Sequence, residues 1–482
     1  MNLGNNIIQY VEHVKIFYER FEFSVEDVMN HLPCATRLML VVSGLAFLQP
    51  ILTTTQFGNM TLIASAVLLG SGFNLSVISR MWLKERAVST LSYFFSDAKL
   101  ELPELQCRYV KHTLTVYEVR GGYFLVDDTL QHHTRLCKWI HGVGVLFDHV
   151  LQTNLKAVCI VVVYYSDGVL IKFPIGFRLY YKEKGKRLPW QRHKSLAYKK
   201  KYLLAVDIIE WALGLGFPGG IVLADSWYGI SPFVKELKRL RLGYVLEMKA
   251  NNTVRTACKK PRLTPTGRLA KKQYELKPLG EYFRTISTVV TCGFERDLET
   301  GKPAKVLYQA KVATVRLNAF SGKHRIVESL DPATQTSKYF LTNNLNWEAT
   351  KILTVYSYRW VIEEFFRNAK QLTGMEGAMI RSEQGVTLAL CLVFWLDFLL
   401  HRENHQRSTA GKLSQEALTI PSIVRQAQYR NLEALIEKMQ HDKTFVHNWL
   451  EVAQENMNRV RKPRKELIAL EISDGDQLRL FA

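Results

Sequence analysis

At 482 residues, 47% of them apolar and 22% charged, the chain is long enough for two to four packed domains and too apolar to stay disordered. Lysine and arginine outnumber aspartate and glutamate by 64 to 44, a net charge of +20, which points to a polyanionic partner, most simply nucleic acid. The seven cysteines are odd in number, scattered and without a CxxC pair, which speaks against a disulfide frame or zinc knuckle and for a reducing compartment.

The N-terminal MNLGNNIIQYVEHVK lacks the basic-then-apolar pattern of a signal peptide. Residues 1–115 read as helical, a region expected to bind DNA. Residues 38–79 carry no charge, yet the apolar pieces Leu38–Ile51 and Thr61–Leu69 are short, Pro50 interrupts the first, and TTTQFGN separates them. Neither reaches the roughly 20 residues a membrane-spanning helix needs, so buried helices are expected and no membrane partner. Ala66, Gly70 and Ile78-Ser79-Arg80 loosely fit a helix-turn-helix with Asn74 to Arg86 as recognition element, against a plain helical bundle.

From about residue 116 the pattern changes to that of an α/β core. Tyr123-Phe124-Leu125-Val126 reads as a strand ending at Asp127-Asp128-Thr129. Ala157–Tyr165 and Val169–Tyr181 form a hairpin around the turn pair Asp167-Gly168. A basic loop (Lys182–Lys194), a helix near Leu196–Leu215, the strand Ile221–Ala224 ending at Asp225, a short helix (Ser231–Arg241) and the strand Tyr244–Met248 complete residues 116–250. Open α/β sheets carry their sites just past strand ends, where Asp127 and Asp225 fall.

Residues 251–335 read as an inserted β-rich domain. Basic residues (Lys259, Lys260, Arg262, Arg268, Lys271, Lys272) lead it, and β-type runs follow at Thr285–Cys292, Lys305–Leu317 and His324–Leu330. Residues 336–402 return to the core with Tyr339–Thr342, a helix capped by Asn344 or Asn346, and the apolar helix Gly385–His401 packed beneath it. Residues 403–482 are helical and basic, with Arg459-Val460-Arg461-Lys462-Pro463-Arg464-Lys465.

The most informative segment is Tyr356-Ser357-Tyr358-Arg359-Trp360-Val361-Ile362-Glu363, followed by Lys370. On a helix, Tyr356, Arg359, Glu363 and Lys370 share a sector of roughly 60°. A carboxylate between two cations suits a site that holds a metal ion and grips phosphates. The plain alternative is an amphipathic helix with ordinary charge pairs; the two upstream aspartates count against it.

Tyr-x2-Arg-x3-Glu-x6-Lys resembles the signature of a large group of bacterial insertion-sequence transposases, the DDE/YREK family, matched here at Tyr356, Arg359, Glu363 and Lys370. Asp127 with Thr129 resembles the family's first catalytic aspartate, and Val222–Tyr228 resembles the stretch around its second, at Asp225. The resemblance covers about 120–400. It implies a ribonuclease-H-like mixed sheet with flanking helices, a β-insertion, and cut-and-paste transposition of an insertion sequence. Asp127, Asp225 and Glu363 would be catalytic and would bind two Mg2+ ions, with Mn2+ as a substitute, for in-line phosphodiester displacement. Tyr356, Arg359 and Lys370 would hold DNA at the element's end. The implied partners are double-stranded DNA, as terminal inverted repeats and as target, and a second copy of the chain; the implied location is the bacterial cytoplasm, at the nucleoid. Release through a DNA hairpin is common in the family, but 250–335 contains no tryptophan to receive a flipped base, leaving Tyr282, Phe283 or Phe294.

Other residues have plainer readings. Asp127 and Asp128 are adjacent and only one can point into the site; the family's Asp-x-Thr spacing favours Asp127. Glu364 lies about 100° round the helix from Glu363. His132, His133, Cys137 and His141 fit no usual zinc spacing. His149, in Phe147-Asp148-His149, is a candidate for a place near the site, with a catalytic role the less favoured reading. A silent DNA-binding derivative of a transposase, and a ribonuclease-H-like nuclease without strand transfer, are the competing functions.

Overall fold

The computed structural model describes residues 32–458 except 84–85, 134–136, 183–189, 191–197, 259–264, 267, 269–273, 298–302, 332–333 and 410–418. The residues of the N-terminal leader pattern, Lys259, Lys260, Arg262, Lys271, Lys272, most of the basic loop 182–194 and Arg459 to Lys465 lie outside the described residues.

The helical N-terminal region holds α1 (Met39–Gly44), α2 (Thr54–Ala66), α3 (Leu75–Arg80), α4 (Val88–Ser96) and α5 (Leu102–Tyr117). A capping box starts α2: Thr53 Oγ1 accepts from the Gln56 amide, and Gln56 Oε1 accepts from the Thr53 amide. Every residue from Asn59 to Ala66 is buried, so the uncharged stretch forms a core helix. The stretch read as a recognition element, against a plain bundle, contains α3, a helix of six residues with Ile78 and Ser79 fully buried and Asn74 and Ser76 exposed.

The core sheet begins with β1 (Tyr123–His133), β2 (Gly144–Asp148), β3 (Thr153–Ser166) and β4 (Lys172–Tyr180). After α6 (Lys201–Gly214) come β5 (Ile221–Ala224), α7 (Ser231–Arg239) and β6 (Gly243–Met248). β3 lies antiparallel between β1 and β4; β5 is parallel to β1, and β6 parallel to β5. The order β4-β3-β1-β5-β6 with that single reversal is the ribonuclease-H-like sheet expected from the sequence. Residues Ala157–Ser166 of β3 are all buried, as in a strand covered on both faces. On β4, Gly176 faces Trp211 and Ile208 of α6, whereas its neighbour Phe177 meets Phe394 of the long helix described below. The hairpin forms around Asp167-Gly168, but its connection runs over 167–171 and the return strand starts at Lys172, not Val169. Asp167 Oδ1 accepts from the Val169 and Ile171 amides, and Gly168 takes φ +84° with no room for a Cβ beside Tyr358 and Tyr123.

Residues 251–335 do not stand apart. β7 (Thr253–Ala257) and β8 (Tyr274–Pro278) form a small sheet, followed by α8 (Leu279–Arg284). β9 (Val290–Asp297), β10 (Pro303–Val315) and β11 (His324–Asp331) then form an antiparallel meander with β12 (Thr336–Thr342). β12 pairs with β6, so the meander extends the core into one sheet of ten described strands.

The single expected signature helix is two, α9 (Ala349–Ser357) and α10 (Trp360–Gln371). Neither Asn344 nor Asn346 caps α9; Glu348 is its N-cap residue, without a side-chain bond. Then come α11 (Glu383–Thr409), α12 (Ile420–His441) and α13 (Lys443–Asn458). α11 is long and apolar enough to cross a membrane, but 83% of that window is buried in the fold. It runs between the N-terminal helices and the sheet, and its Phe394 packs edge-on against Phe365 of α10 at 5.2 Å.

Candidate active site

The two aspartates meet because their strands are parallel neighbours. Pairing of β1 with β5 ends at Val126 opposite Ala224, so Asp127 and Asp225 follow side by side. β1 itself continues to His133 on β3, which corrects the expectation that it stops at Asp127. Strand alternation sends Asp127 and Asp128 to opposite faces. Asp127 turns toward α10. Asp128 takes Lys201 Nζ at 2.6 Å, the Tyr228 hydroxyl at 3.1 Å and the Cys159 thiol at 3.6 Å.

α10 brings the third carboxylate. Ile362, Phe365 and Ala369 lie on its buried stripe, and the Phe365 ring packs tilted against Tyr164 of β3, centroids 5.1 Å apart. Around Tyr358 and Arg359 the backbone bonds run three residues back, Arg359 to Tyr356 and Val361 to Tyr358, which tightens the passage from α9 to α10. Arg359 Nη1 donates to Asp127 Oδ2 at 3.0 Å, and Nη2 donates to Glu363 Oε1. Arg359 therefore stands between two of the three carboxylates, with only 14% of its side chain exposed.

Crowding of acids shows in their titration. Burial, then the charge of Asp225, push Asp127 up to about 7 against the pull of Arg359. Burial also raises Asp225, with Arg359 opposing it and Asp128 and Glu247 adding to it. Glu247 is a carboxylate the sequence reading passed over. It sits near the end of β6, next to β5, and accepts the Tyr356 hydroxyl at 2.9 Å, with Lys338 at 3.8 Å. Its signal was present: a charged residue in the otherwise apolar strand Tyr244–Met248, on the strand beside the one that ends at Asp225. Gly229 holds this region together, because a Cβ there would lie 2.0 Å from the Glu247 carbonyl oxygen.

The signature residues thus part company. Arg359 and Glu363 converge with Asp127 and Asp225. Tyr356 is bonded to Glu247, its ring 4.4 Å from Phe340 and 5.6 Å from the Arg359 guanidinium. Lys370 lies further along α10 and pairs with Glu376 at 3.2 Å. Glu376 also approaches His132 at 3.8 Å, and His132 bonds Asp148 at 2.8 Å. His141 bonds the Tyr181 hydroxyl at 2.9 Å, so His132 and His141 are engaged separately, while both ring nitrogens of His133 are buried without a partner. His149 lies exposed in the β2–β3 turn, edge-on to Phe147. Phe283 is fully buried, which removes it as a receiver of a flipped base; the Phe294 side chain lies outside the described residues.

Three carboxylates are hard oxygen donors of the kind Mg2+ prefers. Among the described residues, however, no three acidic, histidine or cysteine side chains are close enough as placed to hold an ion. The guanidinium of Arg359 occupies the space between Asp127 and Glu363, and its buried Nε has no hydrogen-bond partner. The donor chemistry is of the kind a divalent metal takes, and in this structure Arg359 is the cation that Asp127 and Glu363 hold.

Two family profiles match the chain: that of the DDE superfamily endonucleases over residues 48–296, and the transposase DDE domain over residues 202–396. The chain belongs to the DDE superfamily of endonucleases. No curated protein matches it. Among solved structures it resembles the piggyBac transposase synaptic complex with hairpin DNA, at 10% identity over 89% of this chain and 83% of that one. The TM-score is 0.42, too loose a likeness to add to the strand order itself.

Proposed function

We propose that the chain is a cut-and-paste DNA transposase of the insertion-sequence type carrying the Tyr-Arg-Glu-Lys signature, in which Asp127, Asp225 and Glu363 form the catalytic site. The observation that carries this reading is the convergence of Asp127 and Asp225, from adjacent parallel strands, with Glu363 from α10. Nothing in DNA binding alone requires acids to be crowded and buried together.

These three residues would hold two Mg2+ ions, which supply a nucleophile at neutral pH and neutralise the oxygen that leaves. In hydrolysis a water oxygen bonds to phosphorus, the bridging P–O bond to the 3′ oxygen breaks, and that oxygen leaves as the 3′-hydroxyl. In strand transfer the 3′-hydroxyl is the attacking group. Arg359, once displaced from Asp127 and Glu363, would hold a phosphate at the element's end, since its planar fork suits a phosphate's paired oxygens. Lys370 holds a phosphate further along the strand once it exchanges Glu376. Tyr356, its phenol pushed well up by burial and by Glu247, stays protonated and anchors Arg359 through its ring. The cofactor, the homodimer that pairs two ends, and work at the nucleoid of a bacterial cytoplasm belong to this same reading.

One observation favours a silent DNA-binding protein instead: Arg359 lies in the space the metal needs. Excision of the gene's flanking DNA with Mg2+, wild type against Glu363→Gln, separates the two. Rejoinable ends from the wild type alone support the transposase. Specific binding to the flanks without cleavage by either protein supports the silent one. Cleavage without joining identifies a nuclease that lacks strand transfer.

A further inference from the structure

We propose that Trp227 is a stacking platform for a nucleobase of the DNA strand being cut, positioned from beneath by Lys201 and Asp128. This rests on the reading of the site as a DNA-cutting centre.

Trp227 lies two residues beyond Asp225 and is 50% exposed, like Trp139 at 48% and Trp360 at 51%, whereas Trp82, Trp190, Trp395 and Trp449 are buried. What singles it out is its place beside Asp225 together with the lysines held against its ring. An indole left half in water at the edge of a catalytic site is not there to fill the core. Its place is nonetheless fixed. The Trp227 amide donates to Asp225 Oδ1 at 3.1 Å. The next residue, Tyr228, is fully buried and bonds Asp128. Gly229 then lets the loop press against the Glu247 carbonyl. The ring is thus carried on a short, tied loop whose other function is to hold a catalytic carboxylate.

Two cations flank the ring. Lys201 Nζ lies 5.4 Å from its centroid and Lys249 Nζ 5.7 Å. Lys201 cannot wander: Asp128 Oδ2 holds it at 2.6 Å and the Tyr180 ring lies 5.4 Å away. An aromatic face with lysines beside it is the composition of a groove that tracks a nucleic-acid strand, stacking its bases and neutralising its phosphates. Asp127 and Asp128 then have different work. The first faces the reacting phosphate; the second is a positioning residue that sets Lys201 under the indole. Every base has a π-face, so the platform takes any nucleobase and confers little sequence preference.

The test uses the full chain and duplexes of the gene's flanking DNA with 2-aminopurine placed at each nucleotide around the cut. Binding to the wild type should quench the probe at one position. Trp227→Ala should abolish that quench and slow cleavage about tenfold, with equilibrium binding changed less than about threefold. Trp227→Phe should restore most of both, which a fold lost in the alanine variant would not explain by itself. An abasic site at the quenched position should bring the wild type down to the alanine variant's rate and leave that variant unchanged. Wild-type quench and rate in Trp227→Ala would overturn the platform while leaving the cutting reading intact. So would Lys201→Met or Lys249→Met matching the alanine variant in rate with the quench preserved, since charge alone would then account for the site. If the wild type cuts nothing, the cutting reading fails, and a quench lost in Trp227→Ala still establishes the stacking contact.

Discussion

Among the described residues two carboxylates are pushed up to about 7, Asp127 at the strand end and Asp397 inside α11, and their surroundings differ. Asp397 is 3% exposed and stands among apolar side chains; it accepts the Tyr164 hydroxyl at 2.8 Å and has His401 at 3.8 Å. Burial is the main cause of its shift, as it is for Asp127. The difference lies in the neighbours. Asp397 is one acid whose needs are met by a phenol of the same core. Asp127 is placed against Asp225, shares Arg359 with Glu363, and has the exposed Trp227 loop beside it. A raised pKa marks a buried acid; convergence of several acids on an accessible edge marks chemistry.

The largest expected effect breaks the two apart at once. Asp127→Asn, Asp225→Asn and Glu363→Gln should each lower excision by about a thousandfold or more while specific DNA binding survives. Asp397→Asn should leave excision within about fivefold and act on stability alone. Equal losses in a gel-based excision assay at Asp397 and Asp127 would erase the distinction.

Next in size is the dependence on pH. A metal must displace the proton from Asp127, so below about 7 the apparent Mg2+ affinity should weaken about tenfold per pH unit. Titration of cleavage against Mg2+ at several pH values measures it; an affinity flat between pH 5.5 and pH 7.5, roughly the range that brackets the shift, would place the key proton elsewhere.

Stability gives a third contrast. Asp127 is raised in the folded chain, so its contribution is fully present below its ordinary value of 3.8 and is lost as pH rises toward about 7. Above that range Asp127→Asn should be more stable than wild type by about 1–3 kcal/mol, and below pH 4 the advantage should vanish. Denaturant unfolding at the two pH values checks the sign; a variant less stable at both would mean that the Arg359 pair outweighs the crowding.

The signature's outer members should matter least. Lys370→Ala should lower the slope of log affinity against log salt by about one without changing the metal dependence. Tyr356→Phe removes the bond to Glu247 and should cost about 1 kcal/mol in unfolding experiments. A loss of excision in Tyr356→Phe as large as in Glu363→Gln would mean that its hydroxyl acts on the substrate.

How much of this was legible in the sequence follows from how local each signal is. Ile221–Ala224 is a bounded apolar run and forms as read, and Asp167-Gly168 carries its own turn chemistry. Asp127, Asp225 and Glu363 could be named because short apolar strands and a helix period place them. What was missed depends on distant pairing. β2 exists only because it adds to β3, and the continuation of β1 past Asp127 is set by its antiparallel partner. Glu247 became visible only when β6 fell beside β5. The α9–α10 break has no glycine or proline to announce it; the chain tightens there where Arg359 reaches two carboxylates. Within the uncharged stretch 38–79 the run from Asn59 to Leu68 is buried as expected, whereas the burial of Ile78 and Ser79 is decided by the tertiary fold.

The most direct test is excision of the gene's flanking DNA with and without Mg2+ by the wild type and Glu363→Gln, with binding of the same duplex measured in parallel. The convergence of Asp127, Asp225 and Glu363 predicts metal-dependent, rejoinable ends from the wild type and intact DNA, still bound, from the variant. Cleavage by both proteins, or by the wild type without metal, would contradict it.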